Sequence, residues 1–265
     1  MKIPAITPLK TFILRTFNIS QEKKFLCSVC NKKNEKFNRL SDDYVKSFDA
    51  HMHIHPFFAY ETLNVFDYEC PYCHSTDRDR LYALYFKKRF ALLNQRGAYR
   101  LIDFAPQPGL AAFIKKYSFI SYRSADLYMQ GVDDVVDITD MKIYSDESTD
   151  IFICSHILEH VYEDQKAIAE LYRILKPNGF GIIMVPILLT LKETYENQNA
   201  KSEAERWKHF GQFNHVRIYS KNNFVEKLQS GGFKVEQYTI NYFGAETFNE
   251  YGIHPRSVLY LVEKK

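Results

Sequence analysis

The sequence predicts an α/β protein, an open and mainly parallel doubly wound sheet preceded by a small zinc-binding module. Two observations carry this. From about residue 99 onward, short apolar runs alternate with segments of helical periodicity, the pattern of strands covered on both faces by crossover helices. Before that point, four of the five cysteines fall into two C-x-x-C pairs, Cys27/Cys30 and Cys70/Cys73.

Taken in order, "YRLIDFA" (from Tyr99) reads as a strand, "GLAAFIKKY" as a helix, "ISYRSADLY" as a strand and "VDDVVDIT" as a short strand. "DIFICSHIL" is a further strand, and Cys154 within it is a buried core residue. "DQKAIAELYRILKPNGF" has helical periodicity stopped at Pro177 and Gly179, and "GIIMVPILL" follows as the next strand. A polar segment then leads to the helix "SKNNFVEKLQSGGF" and the strands "KVEQYTI" and "SVLYLVEKK". In such a sheet the ligand lies at the carboxyl ends of the strands.

At 265 residues, with 46% hydrophobic and 25% charged residues, the chain can bury a full core. No apolar run reaches the roughly 18 residues that span a bilayer. The opening "MKIPAITPLKTFILRTFNIS" lacks the long apolar core and small-residue cleavage site of an export signal. It reads as a leading helix or strand, and a cytoplasmic location is expected; weak contact with a membrane surface remains an option. A net charge of +3 does not announce a nucleic-acid binder, although residues 1–98 hold 16 Lys/Arg against 10 Asp/Glu and residues 99–265 hold 19 against 22. The segmentation is a lead over residues 1–24, a zinc-ribbon-like module with an insertion over 25–95, and the α/β domain over 96–265.

Each cysteine pair lies in a turn that lets two thiolates converge on one ion, so Cys27, Cys30, Cys70 and Cys73 make a four-sulfur zinc site. With every position taken by sulfur, the ion is structural. Disulfides would need an oxidising compartment, and a redox pair would sit at a helix start within a βαβ unit. The 39 residues between Cys30 and Cys70 form the insertion. It contains His51, His53 and His55 in alternation: on a strand they would share one face and could bind a second metal, but a partly exposed strand with polar alternation explains them more simply.

The order "LIDFAPQPG", "SADLY", "VVDITD", "DIFICSHILEHV", "LYRILKPNGFGIIMVP" and "GGFKV" resembles the class I S-adenosylmethionine-dependent methyltransferases over about residues 99–264. "TYENQNAKSEAERWKHFGQFNHVRIYS" is similar to the stretch after strand five in a bacterial subgroup with an N-terminal zinc-ribbon-like element. The resemblance implies a seven-stranded Rossmann-like sheet with S-adenosylmethionine as cofactor. It implies that Asp103, Ala105, Gln107 and Gly109 border the methionine part of the cofactor; Gln107 stands where the family has its middle glycine. Asp126 matches the carboxylate that accepts from both ribose hydroxyls, and Asp137 with Ile138 the adenine-contacting pair. A helix-capping role is the alternative for Asp103 and Asp126.

Ser155 and His156 follow strand four, where the donor methyl emerges. Glu159 is a substrate-side candidate, and His160 is either a general base or a partner of Glu159 in a helix cap. His215, Arg217 and Tyr219 alternate and would share one face, as a substrate wall with His215 and Tyr219 near the chemistry and Arg217 binding an anionic group, or as a surface β-segment. The expected reaction moves a methyl group to a small-molecule, carbohydrate or lipid-linked acceptor. RNA methylation with the zinc module gripping RNA, and a non-catalytic binding protein, are the alternatives.

Overall fold

The computed structural model describes residues 25–264; the expected leading helix or strand lies outside the described residues. Strands β1 (Phe25–Leu26) and β2 (Lys33–Asn34) form a small hairpin that carries the first cysteine pair in its turn. Helix α1 (Asp42–Ala50) opens the insertion. Residues 51–55 form no strand, which corrects the sequence expectation. The alternation nevertheless persists in burial: His51, His53 and His55 are half-buried, whereas Met52 and Ile54 are exposed. His53 Nδ1 donates to the Trp207 and Lys208 carbonyls at 3.0 Å, and His51 stacks on the Trp207 ring with centroids 5.2 Å apart. The histidines thus dock the insertion on a distant helix and do not converge on a second metal.

Helix α2 (Asp77–Phe90) follows the second cysteine pair. Thr76 and Asp79 form a reciprocal capping box that satisfies its first free N–H groups. Leu81, Tyr82, Ala83, Leu84, Tyr85, Phe86 and Phe90 are buried around most of its circumference, so it is an internal helix. Each of its large apolar side chains contributes roughly 1.5–3 kcal/mol of burial. Helix α2 belongs to the same continuous core as the strands that follow.

That core is built on β3 (Tyr99–Phe104), α3 (Pro108–Ile114), β4 (Ile120–Asp126), β5 (Asp134–Val135), β6 (Thr149–Ser155), α4 (Asp164–Ile174) and β7 (Leu175–Met184). Helix α4 ends at Ile174, before Pro177, and Leu175 is already extended, so β7 begins earlier than the apolar run "GIIMVP" predicts. Beyond it come β8 (Tyr195–Glu196), α5 (Glu203–Phe210), β9 (Arg217–Ile218), α6 (Lys221–Ser230), β10 (Phe233–Tyr238), α7 (Ile240–Phe243), α8 (Ala245–Glu250) and β11 (Leu259–Lys264).

The main sheet has seven strands in the order β10-β11-β7-β6-β3-β4-β5. The five from β7 to β5 are mutually parallel, and β11 runs antiparallel to both its neighbours. The strand order reverses at β3 and β6, so their carboxyl ends open a crevice at the switch point.

Candidate active site

Two cysteine knuckles sit against this crevice. Cys27 Sγ lies 3.7 Å from Cys73 Sγ and Cys30 Sγ 3.8 Å from Cys70 Sγ, and all four sulfurs fall within 4.8 Å of one another. Zinc–sulfur bonds of about 2.3 Å require tetrahedral edges of about 3.8 Å, which these two separations match, so the four sulfurs could hold one zinc ion. The two turns repeat each other: the residue after each second cysteine, Asn31 and His74, is left-handed, and its N–H donates to the carbonyl of the first cysteine. Beside them Arg80 is wholly buried, donating to the carbonyls of Tyr251, Tyr68, Ser75, Asp67 and Gly252.

The crevice divides into three connected spaces. The largest, about 510 Å³, runs along the ends of β3, β4 and β5 and is bordered by Ala105, Asp126, Asp137, Ile138 and His160. Asp126 Oδ1 accepts from the Tyr128 and Met129 N–H groups at 2.7 and 2.8 Å, which closes the turn and fixes the carboxylate at the rim. Of the neighbouring acids, Asp133 is taken by Ser124, Asp134 by Arg123 and Tyr144, and Asp140 by Lys142. Asp137 alone among these four borders the cleft.

A recess of about 120 Å³ is bordered by Arg78, Asp79, Tyr82, Asp103, Gln107 and Ser155 among others. Asp103 is buried, and burial pushes its carboxyl up to about 7 even though Tyr122 donates to it at 2.8 Å. Ala105 adopts φ +53°, the left-handed region that favours glycine, and its N–H donates to the Ala125 carbonyl. Gln107 borders the recess from the start of α3. Gly109 does not border it: this glycine faces the second cysteine knuckle, where an added Cβ would meet Ser75 Oγ at 2.4 Å.

The third space, about 310 Å³, lies between the insertion and the sheet. Tyr44, Phe48, Phe57, Tyr60, Tyr68 and Phe210 give it an aromatic wall, and Arg78, His156, Glu159, His160 and His215 a polar floor. His156 borders all three spaces. It is left-handed at φ +57°, and Arg78 Nη1 lies 2.7 Å from its Nε2. Burial and the Arg78 charge push its imidazole down to about 4, so it is neutral at physiological pH.

Glu159 is fully buried at the centre of the floor. Burial pushes its carboxyl up, but His156, His215 and His160 outweigh that and hold it at about 2.

Of the alternating trio, only His215 borders the cavity. Arg217 Nε donates to Glu196 at 2.7 Å, and its Nη atoms donate to the carbonyls of Leu158, Val161 and Tyr162. The Tyr219 hydroxyl donates to Asp164 at 2.6 Å, and Lys227 joins the same carboxylate. The shared face of Arg217 and Tyr219 points inward and clamps the short 3-10 turn Leu158–His160, and neither side chain borders the cavity. Arg78 was missed in the sequence. The signal was the alternation "DRDR" directly after a cysteine knuckle, where charges at a helix start read as a solvated cap.

A methyltransferase-domain family model matches residues 116–183, about a quarter of the chain, running from β4 to β7. Residues 116–183 thus carry the core of a methyltransferase domain within a seven-stranded Rossmann-like sheet. In this methyltransferase fold the three spaces lie at the carboxyl edge of the sheet. Among solved structures, a methyltransferase from Archaeoglobus fulgidus is 14% identical over 72% of this chain and 96% of its own, with a TM-score of 0.45. A putative methyltransferase from Bacillus halodurans is 16% identical over 69% and 99%, with a TM-score of 0.43. One from Haloferax volcanii, solved in complex with the Trm112 methyltransferase activator, is 14% identical over 70% and 93%, also at 0.43. No curated protein matches the sequence. No helix of the described residues is long and apolar enough to cross a membrane.

Proposed function

We propose that this chain transfers the methyl group of S-adenosylmethionine to a small molecule held in the aromatic cavity. The observation that carries this reading is that His156 borders the long cleft, the recess and the aromatic cavity at once. A cofactor laid along the first two presents its sulfonium at that junction, and the third receives the acceptor.

In this reading adenine packs on Ile138 with its amino group toward Asp137, and the ribose diol is taken by Asp126, whose two oxygens match the spacing of adjacent hydroxyls. The amino-acid end enters the recess, its ammonium toward Asp103 and its carboxylate toward Arg78, while Gln107 lines the entry and Ser155 the floor. Methyl transfer is an in-line displacement at an activated sulfonium, so alignment supplies much of the rate. His160 borders both cleft and cavity and is placed to take the acceptor proton. Cys27, Cys30, Cys70 and Cys73 hold a structural zinc ion that fixes the start of α2 and, through it, Arg78.

The aromatic wall and modest volume of the cavity, about 310 Å³, support a small acceptor bearing a ring or short chain over an RNA strand. Calorimetry with S-adenosylhomocysteine tests the reading. We expect saturable one-to-one binding, at least tenfold weaker in Asp126→Ala; absence of binding to the zinc-loaded wild type refutes it.

A further inference from the structure

Glu159 is enclosed by protein, and its carboxylate oxygens accept no hydrogen bond of good geometry among the described residues, although His156 Nδ1 lies 3.2 Å from Oε1. An ionised carboxylate so placed is costly unless a cation satisfies it. Arg78, the nearest cation of the cavity wall, is directed at His156. What does converge on Glu159 is imidazole. One ligating atom from each of Glu159, His160 and His215 lies within 4.8 Å of the others, and His215 Nε2 is 3.9 Å from Glu159 Oε1. The two rings meet edge to face with centroids 4.6 Å apart. His215 Nδ1 lies 3.3 Å from the Phe210 carbonyl, and His160 Nδ1 lies 3.4 Å from that of Asn214. A backbone carbonyl on one ring nitrogen fixes the tautomer and leaves the other nitrogen bare as a ligand.

The site is also braced from outside. Arg217 holds the Leu158, Val161 and Tyr162 carbonyls, and the Val216 N–H donates to the Glu159 carbonyl at 2.9 Å. The turn that carries two of the three groups is thus locked to the segment leading into β9, which carries the third.

We propose that Glu159, His160 and His215 hold a divalent first-row transition-metal ion whose open coordination positions face the aromatic cavity and accept an oxygen of the acceptor. Two imidazoles and one carboxylate suit such an ion, and three protein ligands leave room for a substrate. The proposal rests on the methyltransferase reading for its acceptor role, not for the ion itself. With the ion bound, His160 acts as a ligand and no longer as the base; ligation lowers the pKa of an acceptor hydroxyl, and its proton leaves to solvent. The oxygen lone pair then forms the O–CH3 bond as the C–S bond breaks, its electron pair going to sulfur to give neutral S-adenosylhomocysteine. The acceptor class is therefore an alcohol or phenol.

The full chain, with zinc in the cysteine site, is titrated with Co²⁺ and its visible spectrum followed, and S-adenosylhomocysteine binding is measured on the same samples. We expect one equivalent of Co²⁺ to give weak ligand-field bands without sulfur charge-transfer absorption. We expect its affinity to fall at least tenfold in Glu159→Gln and in His215→Ala, with S-adenosylhomocysteine binding retained as evidence of folding. Absence of a second equivalent in the wild type, or a second equivalent indifferent to both substitutions, overturns the site. Co²⁺ binding that follows the substitutions in a protein that never binds S-adenosylhomocysteine upholds the ion and overturns its acceptor role.

Discussion

A Cβ built on Gly109 would lie 2.4 Å from Ser75 Oγ and 2.8 Å from the Cys73 carbonyl oxygen. The glycine of the turn between β3 and α3 is therefore the place where the second cysteine knuckle rests on α3. Gly109→Ala has to push the knuckle away from the helix, and overpacking of this kind costs about 1–3 kcal/mol. Urea denaturation should show that loss, with faster release of zinc to a chelator. A variant as stable as the wild type would mean that the two parts are not in contact.

Ala105 calls for the opposite outcome. It stands at φ +53°, where a Cβ costs about 1–2 kcal/mol. Ala105→Gly removes that strain and should raise stability by about 1 kcal/mol without weakening cofactor binding. A lower denaturation midpoint would show that the methyl group is needed for packing.

Arg217 makes its contacts from a position only 5% exposed, with Glu196 on one side and the carbonyls of the Leu158–Tyr162 segment on the other. Replacing it with Met leaves the Leu158 and Tyr162 carbonyls without their donor and should cost about 1–3 kcal/mol. Arg217→Lys keeps the charge but loses the fork. Where that variant folds, the turnover number should fall while cofactor affinity stays, since the displaced groups are Glu159 and His160 rather than Asp126. A rise in cofactor Kd with unchanged turnover would contradict this positioning role.

Asp103 ties binding to pH. Its carboxyl is pushed up to about 7 by burial, above the unfolded value of about 3.9. In that interval the folded chain binds the extra proton. The stabilisation is complete below about pH 4 and is lost as pH rises through about 7. Asp103→Asn should flatten that slope. A cofactor ammonium placed against Asp103 favours the ionised form, so binding near pH 6 should release up to about one proton and tighten toward pH 8. Calorimetry in buffers of different ionisation enthalpy measures that proton directly; a value near zero removes Asp103 from the ammonium site.

Much of the sheet was legible because its strands are apolar runs that end in acidic or polar residues, as at Asp103, Asp126 and Ser155. The cysteine site was legible because local turns form it. The aromatic cavity was not. Phe48 and Phe210 are 162 residues apart, and nothing local marks them as facing walls of one space. For the trio His215, Arg217 and Tyr219, alternation fixes which side chains point together and not what they point at. Arg78 was hidden by the opposite effect: its carboxylate neighbours Asp77 and Asp79, which look like a solvated helix start, are themselves buried.

The central claim is that the donor methyl group emerges at His156. Isotope-edited nuclear Overhauser spectroscopy on the zinc-loaded chain with S-adenosylmethionine carrying a ¹³C methyl group tests it most directly. The account predicts cross-peaks from that methyl to the His156 ring protons, lost on assignment by His156→Asn. A bound methyl whose cross-peaks go instead to Tyr128 or Tyr162 at the far rim of the cleft would contradict it.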